Sequence, residues 1–127
     1  MYKLKKWHFE LWGKNKAIAW GFVCGNPRFL QGTFIGTSTI REISFDEDEE
    51  QIVLKTKSGS HYVLSYSELN MDELENTRAC SDALNIPSST LDKLVEYNTK
   101  NGDGVHNEFA EKNQPMSALI TPEQDEE

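Results

Sequence analysis

Trp7-His8-Phe9-Glu10-Leu11-Trp12-Gly13-Lys14-Asn15-Lys16-Ala17-Ile18-Ala19-Trp20-Gly21-Phe22-Val23-Cys24 is the stretch on which the fold reading turns. Trp7, Phe9 and Leu11 alternate with His8 and Glu10, the period of two expected of a strand with one buried face. Gly13-Lys14-Asn15-Lys16 supplies a turn, and Ala17–Cys24 returns as a run of small and aromatic residues, so the pair predicts a hairpin. Gly25, Asn26 and Pro27 then break the ladder, because proline has no N–H to donate and glycine adopts backbone angles closed to other residues.

Working outward, 27–38 reads as a loop dense in Gly and Thr, and Thr39–Phe45 as a third strand. Asp46-Glu47-Asp48-Glu49-Glu50 is an acid run that reads as a solvated turn. Ile52–Thr56 and His61–Ser65 give the fourth and fifth strands around the turn Lys57-Ser58-Gly59-Ser60, with Tyr62 and Leu64 on one face. After Tyr66 the period changes. Asn70, followed by Met71 and Leu74 one turn apart, predicts a helix over Met71–Leu84. Pro87 stops it, and Ser88 or Ser89 caps a second helix with Leu91, Leu94, Val95 and Asn98 on one stripe, ended by Gly102.

The expected class is therefore α+β: a five-stranded antiparallel sheet or small barrel followed by two helices that cover one sheet face or pair with further copies. Residues 1–102 form one domain, and 103–127 a polar, acidic, mobile tail. A chain of 127 residues with 37% apolar and 27% charged residues can fill one core, and its length leaves no room for a second domain. The sequence shows neither a membrane-length apolar run nor a secretory leader, so a soluble, cytoplasmic protein without membrane contact is expected. Cys24 and Cys80 are too few for a disulfide scaffold and read as reduced, half-buried residues.

The formal net charge of −8 argues against broad nucleic-acid binding. It is unevenly spread: residues 1–42 hold seven Lys or Arg against two Glu, a surplus of +5, which leaves −13 for the remainder. An anion site belongs in the first third, although Lys3, Lys5 and Lys6 read more simply as charges that keep an exposed first strand from edge pairing.

Catalytic signatures are missing: no phosphate-loop Gly-Lys-Ser or Gly-Lys-Thr, no Gly-x-Ser-x-Gly and no paired His at helical spacing occur in the sequence. His8, His61 and His106 fall on separate segments, and clustered carboxylates repel one another and stay hydrated. A non-enzyme without metal or cofactor is expected.

The most concentrated set of unusual choices is Gly25-Asn26-Pro27-Arg28-Phe29-Leu30-Gln31-Gly32-Thr33-Phe34-Ile35-Gly36-Thr37-Ser38. A guanidinium sits between a rigid proline and an aromatic ring, glycines free backbone N–H groups, and two hydroxyls close the segment; these are the parts that hold a phosphorylated nucleotide. Taken from the residues alone, the simpler reading is a tight connection in which Phe29 and Phe34 plug the core, the glycines allow positive φ and Arg28 pairs with a carboxylate.

This segment, followed by Ile40-x-x-Ile43, the acid turn, and Leu-x-Thr-x-Ser-Gly-Ser-x-Tyr-x-Leu over 54–64, resembles the first class of phage Thoeris anti-defence proteins across about residues 17–66. Those proteins are sponges that bind cyclic ADP-ribose isomers made by bacterial TIR-domain immune sensors and sequester them without cleavage. The resemblance implies a β-sheet core followed by helices, a homo-oligomer, pockets shared between protomers, and action in the host cytoplasm. It also implies a ligand set of Asn26, Arg28, Phe29, Thr37, Ser38 and Tyr62: Arg28 toward phosphate, Phe29 or Tyr62 for stacking, the others as hydrogen-bonding groups. Arg41 joins the set on charge alone. A second reading, carried by the acid surplus after residue 42, is an inhibitor of a bacterial defence complex whose surface imitates nucleic acid, in the manner of an anti-CRISPR protein.

Overall fold

The computed structural model describes residues 1–101. It is an α+β structure built on an open, six-stranded mixed sheet. The strands are β1 (Tyr2–Leu11), β2 (Ala17–Cys24), β3 (Phe34–Gly36), β4 (Ile40–Asp46), β5 (Gln51–Thr56) and β6 (His61–Ser65), in the order β3-β2-β1-β6-β5-β4. Three helices come after them: α1 (Leu74–Ala79), α2 (Ser81–Leu84) and α3 (Ser88–Asn101). The sequence expectation of a five-stranded antiparallel sheet or small barrel is thus corrected in two respects.

The first is the count. β3 lies inside the segment expected to be a loop, and pairs antiparallel with β2 through Trp20↔Gly36, Gly21↔Ile35 and Phe22↔Phe34. Three residues are too few to display a period, and Gly36 masks the third. Its glycine has a packing reason: a Cβ there would lie 3.0–3.1 Å from the Trp20 ring.

The second correction is direction. β1 pairs antiparallel with β2 on one side and parallel with β6 on the other, through Tyr2↔Tyr62 and Lys3↔Val63. β1 is therefore an interior strand, and Lys3, Lys5 and Lys6 do not guard an edge. Lys3 and Lys5 are exposed on the sheet face opposite the core. Sheet closure into a barrel does not occur, because β3 and β4 end the order without pairing to each other.

The simple alternation in β1 also fails beyond its centre. The register slips between Lys5 and His8, and Lys6 takes a φ of 53°, so a bulge reorients the residues after it. Trp7, His8 and Phe9 are buried in succession, while Leu11 is 45% exposed. Gly21 of β2 faces this bulge, where an added Cβ would lie 3.0 Å from Leu4 Cβ and 3.1 Å from the Lys5 carbonyl oxygen.

Past its pairing with β6, the second half of β1 is completed by the helical segment. The Asn70 N–H donates to the Trp7 carbonyl at 2.8 Å, the Phe9 N–H donates to Thr77 Oγ1 at 3.2 Å, and Trp7 Nε1 donates to the Ser65 carbonyl at 2.7 Å. Asn70 caps the turn Met71–Glu73 by accepting from the Asp72 N–H, as expected. The helix expected over Met71–Leu84 is broken, with a 3₁₀ turn first and Cys80 separating α1 from α2. α3 starts where expected, but the carbonyl of Pro87 receives the first N–H groups, from Thr90 and Leu91.

The core lies between the sheet and these helices, where Trp7, Tyr62, Leu64 and Tyr66 meet Cys80, Leu84, Ile86 and Leu94. Asn98, polar but buried in the α3 stripe, donates through Nδ2 to the carbonyls of Tyr66 and Leu94, each at 2.8 Å. The acid turn is partly recruited rather than wholly solvated: Glu47 accepts from Thr90 Oγ1 at 3.0 Å and Lys93 Nζ at 3.1 Å, tying the β4–β5 turn to α3. The Lys93 ammonium, with the Thr90 hydroxyl, holds the Glu47 carboxyl below its usual range. The expectations for Gly102 and for the tail 103–127 lie outside the described residues.

Because a Cβ at position 21 would press on backbone rather than on a movable side-chain end, Gly21→Ala is expected to cost about 1–3 kcal/mol of stability. Urea denaturation of the two proteins measures it; equal midpoints would show that the bulge tolerates the methyl group.

Candidate functional site

The segment 25–38 leaves β2 and returns as β3, and its two ends are fastened differently from its tip. At the start, Gly25 takes a φ of 87°, a left-handed value that permits the sharp exit from the strand. Asn26 is 3% exposed. Its Oδ1 accepts from the Arg28 N–H at 3.0 Å, closing an Asx turn, and its Nδ2 donates to the Tyr62 hydroxyl at 3.2 Å. Tyr62 is fully buried and contacts the Tyr2 ring at a centroid separation of 5.5 Å. One amide thus joins the loop to the centre of the sheet.

At the far end, Thr37 Oγ1 accepts from the Ala19 N–H at 3.1 Å and donates to the Ser38 carbonyl at 2.7 Å, while the Thr37 N–H donates to the Ala19 carbonyl. Ser38 Oγ donates to Ser58 Oγ at 3.2 Å and accepts the Ser58 N–H at 3.1 Å. Thr37 and Ser38 are both buried; Thr37 fastens the β3–β4 connection to β2, and Ser38 fastens it to the β5–β6 turn.

The tip is displayed. Arg28 is exposed, Phe29 is half-buried against the edge of the core, and Leu30 is 84% exposed. The Arg28 guanidinium carbon lies 5.7 Å from the Phe29 ring centroid, within the range of a cation–π contact. Within the loop, Val23 and Thr33 continue the β2–β3 pairing through the Val23 N–H to Thr33 carbonyl bond, and the Gly32 N–H returns to the Val23 carbonyl at 2.7 Å.

The structure therefore brings together Asn26, Arg28, Phe29 and Tyr62 at one end of the sheet. Thr37 and Ser38 stand at the base of the same connection, buttressing it. Arg41 follows Ser38 by three residues and is exposed on β4, the strand at the opposite end of the sheet order from β3. Of the seven residues, Asn26, Thr37, Ser38 and Tyr62 are buried and bonded within the protein, whereas Arg28, Phe29 and Arg41 present surface.

Two depressions lie elsewhere, and none of the seven lines either. One, of about 150 Å³, is on the open sheet face between Glu42, Ser44, Val53, Lys55 and His61. The other, of about 460 Å³, runs along α3 between Glu47, Ser89, Asp92, Lys93 and Glu96. Sequence reasoning named neither, since both arise from strands and helices that meet only in the fold.

Among the described residues, no group of three or more His, Cys, Asp or Glu side chains is arranged to hold a metal ion. Cys24 and Cys80 are free thiols, and burial together with the nearby Glu10 pushes Cys80 up to about 11, where the thiolate nucleophile is scarce at neutral pH. Among the described residues no helix is long and apolar enough to cross a membrane.

Asn26→Ala deletes a buried hydrogen bond to the Tyr62 phenol and opens the Asx turn, so it is expected to destabilise the protein by about 1–3 kcal/mol. Tyr62→Phe in the same denaturation series should also destabilise, and by less, since Asn26 retains its bond to the Arg28 N–H. A larger loss for Tyr62→Phe would overturn the assignment of Asn26 as the anchor.

No protein-family model, curated protein or solved structure matches the chain.

Proposed function

We propose that this protein binds a small anionic nucleotide signal, of the cyclic ADP-ribose isomer type, and holds it without cleavage, acting as a counter-defence sponge in the cytoplasm of a phage host. The observation that carries this reading is a contrast within one loop: a buried amide anchor where it leaves β2, closure by the β2–β3 pairing where it returns, and at the tip a guanidinium beside a partly exposed aromatic ring. Fixed ends mean that little conformational entropy remains to be lost when a ligand arrives. The guanidinium offers a fork of donors to a pyrophosphate, and the ring a surface on which a base stacks.

In this reading Arg28 contacts phosphate and Phe29 takes the base. Asn26 and Tyr62 set the shape of the loop from beneath, and Thr37 and Ser38, beyond β3, are turned into the protein and fix that strand in place. A tip that projects from one protomer gives a ligand a single wall. Tight retention therefore calls for a second wall, and a homo-oligomer in which another copy faces the loop would supply it. Arg41, exposed on the outermost strand, is available to such an arrangement. The reading has no cleavage step and assigns no nucleophile.

The test is retention. Purified protein is incubated with cyclic ADP-ribose isomers, freed of unbound nucleotide and denatured, and mass spectrometry asks whether intact nucleotide is released. Release of intact ligand, with a thermal upshift that grows with ligand concentration, is the expected result. Arg28→Ala should weaken binding by more than about ten-fold, the worth of one charge-assisted contact, while leaving the thermal midpoint of the free protein nearly unchanged. Absence of both retention and upshift would overturn the reading, and salt-sensitive capture of a basic defence protein in its place would favour the acidic-mimic alternative.

A further inference from the structure

His8 occupies an unusual position. It is 7% exposed and comes just after the bulge in β1, its Nδ1 has no hydrogen-bond partner, and its Nε2 lies 4.0 Å from Glu73 Oε1. That carboxylate oxygen is steadied from the other side by Asn76 Nδ2 at 2.7 Å. Glu73 belongs to the turn that opens the helical segment, and Phe9, the next residue of β1, is bonded to Thr77 of α1. The imidazole therefore sits at the seam where helix replaces strand along β1.

We propose that His8 is a pH-sensitive latch, which keeps the Met71–Ala79 segment seated on β1 while the imidazole is neutral and loosens that seam when the imidazole takes up a proton. A second proton on the ring would place an N–H at Nδ1 in a buried site without an acceptor, whereas an opened seam would hydrate both nitrogens. The charged neighbours act on the ring in opposition to that penalty. Glu73 from the facing turn and Glu10 from the same strand both favour the imidazolium, and burial outweighs them, so proton affinity in the closed state falls below that of a free histidine. The two carboxylates are themselves engaged, Glu73 by Asn76 and Glu10 by the Trp20 indole N–H at 2.6 Å. Lys6, two residues before it on β1, has Glu68 and Asp72 as its charged neighbours, and its backbone N–H donates to Glu68 Oε1 at 3.2 Å.

Linkage gives the sign. The closed state binds the proton more weakly than the open state, so the closed seam is at full strength above about pH 6.5 and is lost progressively as pH falls below that value. One unit of acidification below the open-state value favours opening by up to about ten-fold. Only the seam is affected; β4 and β5, separated from β1 by β6, are not.

Amide hydrogen exchange of the whole protein at pH 7.5 and 5.5, corrected for intrinsic rates, tests the latch. The Phe9 and Asn70 amides should lose protection by up to about ten-fold at pH 5.5, with β4–β5 amides unchanged, and His8→Gln should abolish the difference. Glu73→Gln, a half-exposed position safer for folding, removes a group that favours the imidazolium and should leave the acid-induced loss intact or enlarge it. The proposal fails if His8→Gln responds to pH as the parent does. It fails equally if Glu73→Gln abolishes the response, which would make Glu73 the titrating group, or if an NMR titration places His8 at or above the free-histidine value.

Discussion

The interaction on which the rest depends is the two-sided satisfaction of β1. A central strand must place its N–H and C=O groups on both flanks, since a buried, unpaired backbone group is costly. β2 takes one flank. On the other, β6 reaches only Tyr2 and Lys3, and the remainder is completed by Asn70, Thr77 and the carboxylate of Glu68. The helical segment is thus held by β1's backbone as well as by apolar contact, which fixes which sheet face it covers. With that face closed by Cys80, Leu84, Ile86 and Leu94, the loop after β2 is left at the sheet's end.

Much of this was legible from residue order. His61–Ser65 reads as a strand because Tyr62 and Leu64 alternate with polar neighbours, and it is one. Pro87 followed by the Leu91–Leu94–Asn98 stripe reads as a helix with one wet-looking position, and Asn98 proves to be the residue that bonds the sheet's exit at Tyr66. The features that escaped it depend on partners distant in sequence. β3 is three residues long and owes its existence to Trp20 and Phe22, which lie before the loop. The parallel pairing of β1 with β6 has no local signature, and the bulge at Lys6 inverts an otherwise clean alternation.

The loop shows the same division. Its chemistry was visible in the order Asn26-Pro27-Arg28-Phe29, but not its division of labour. Asn26, Thr37 and Ser38 carry hydroxyl and amide groups that suit a ligand equally well as a scaffold. Only the positions of Tyr62, Ala19 and Ser58 reveal that these groups are turned inward. Residue order supplies the inventory of donors; the fold decides which of them point out.

The long reach of the β1–β6 pairing has a consequence for how the chain comes into being. Trp7 and the Ser65 carbonyl it meets are 58 residues apart, and Phe9 and Thr77 are 68 apart. During synthesis the first hairpin emerges early and waits, one flank bare, until the ribosome has delivered the last strand and the helix beyond it. Contacts so remote close slowly against chain entropy. The lysines Lys3 and Lys5, mid-sheet in the finished molecule, are in that interval charges on a strand with one open flank, and they discourage foreign pairing there until its true neighbour arrives.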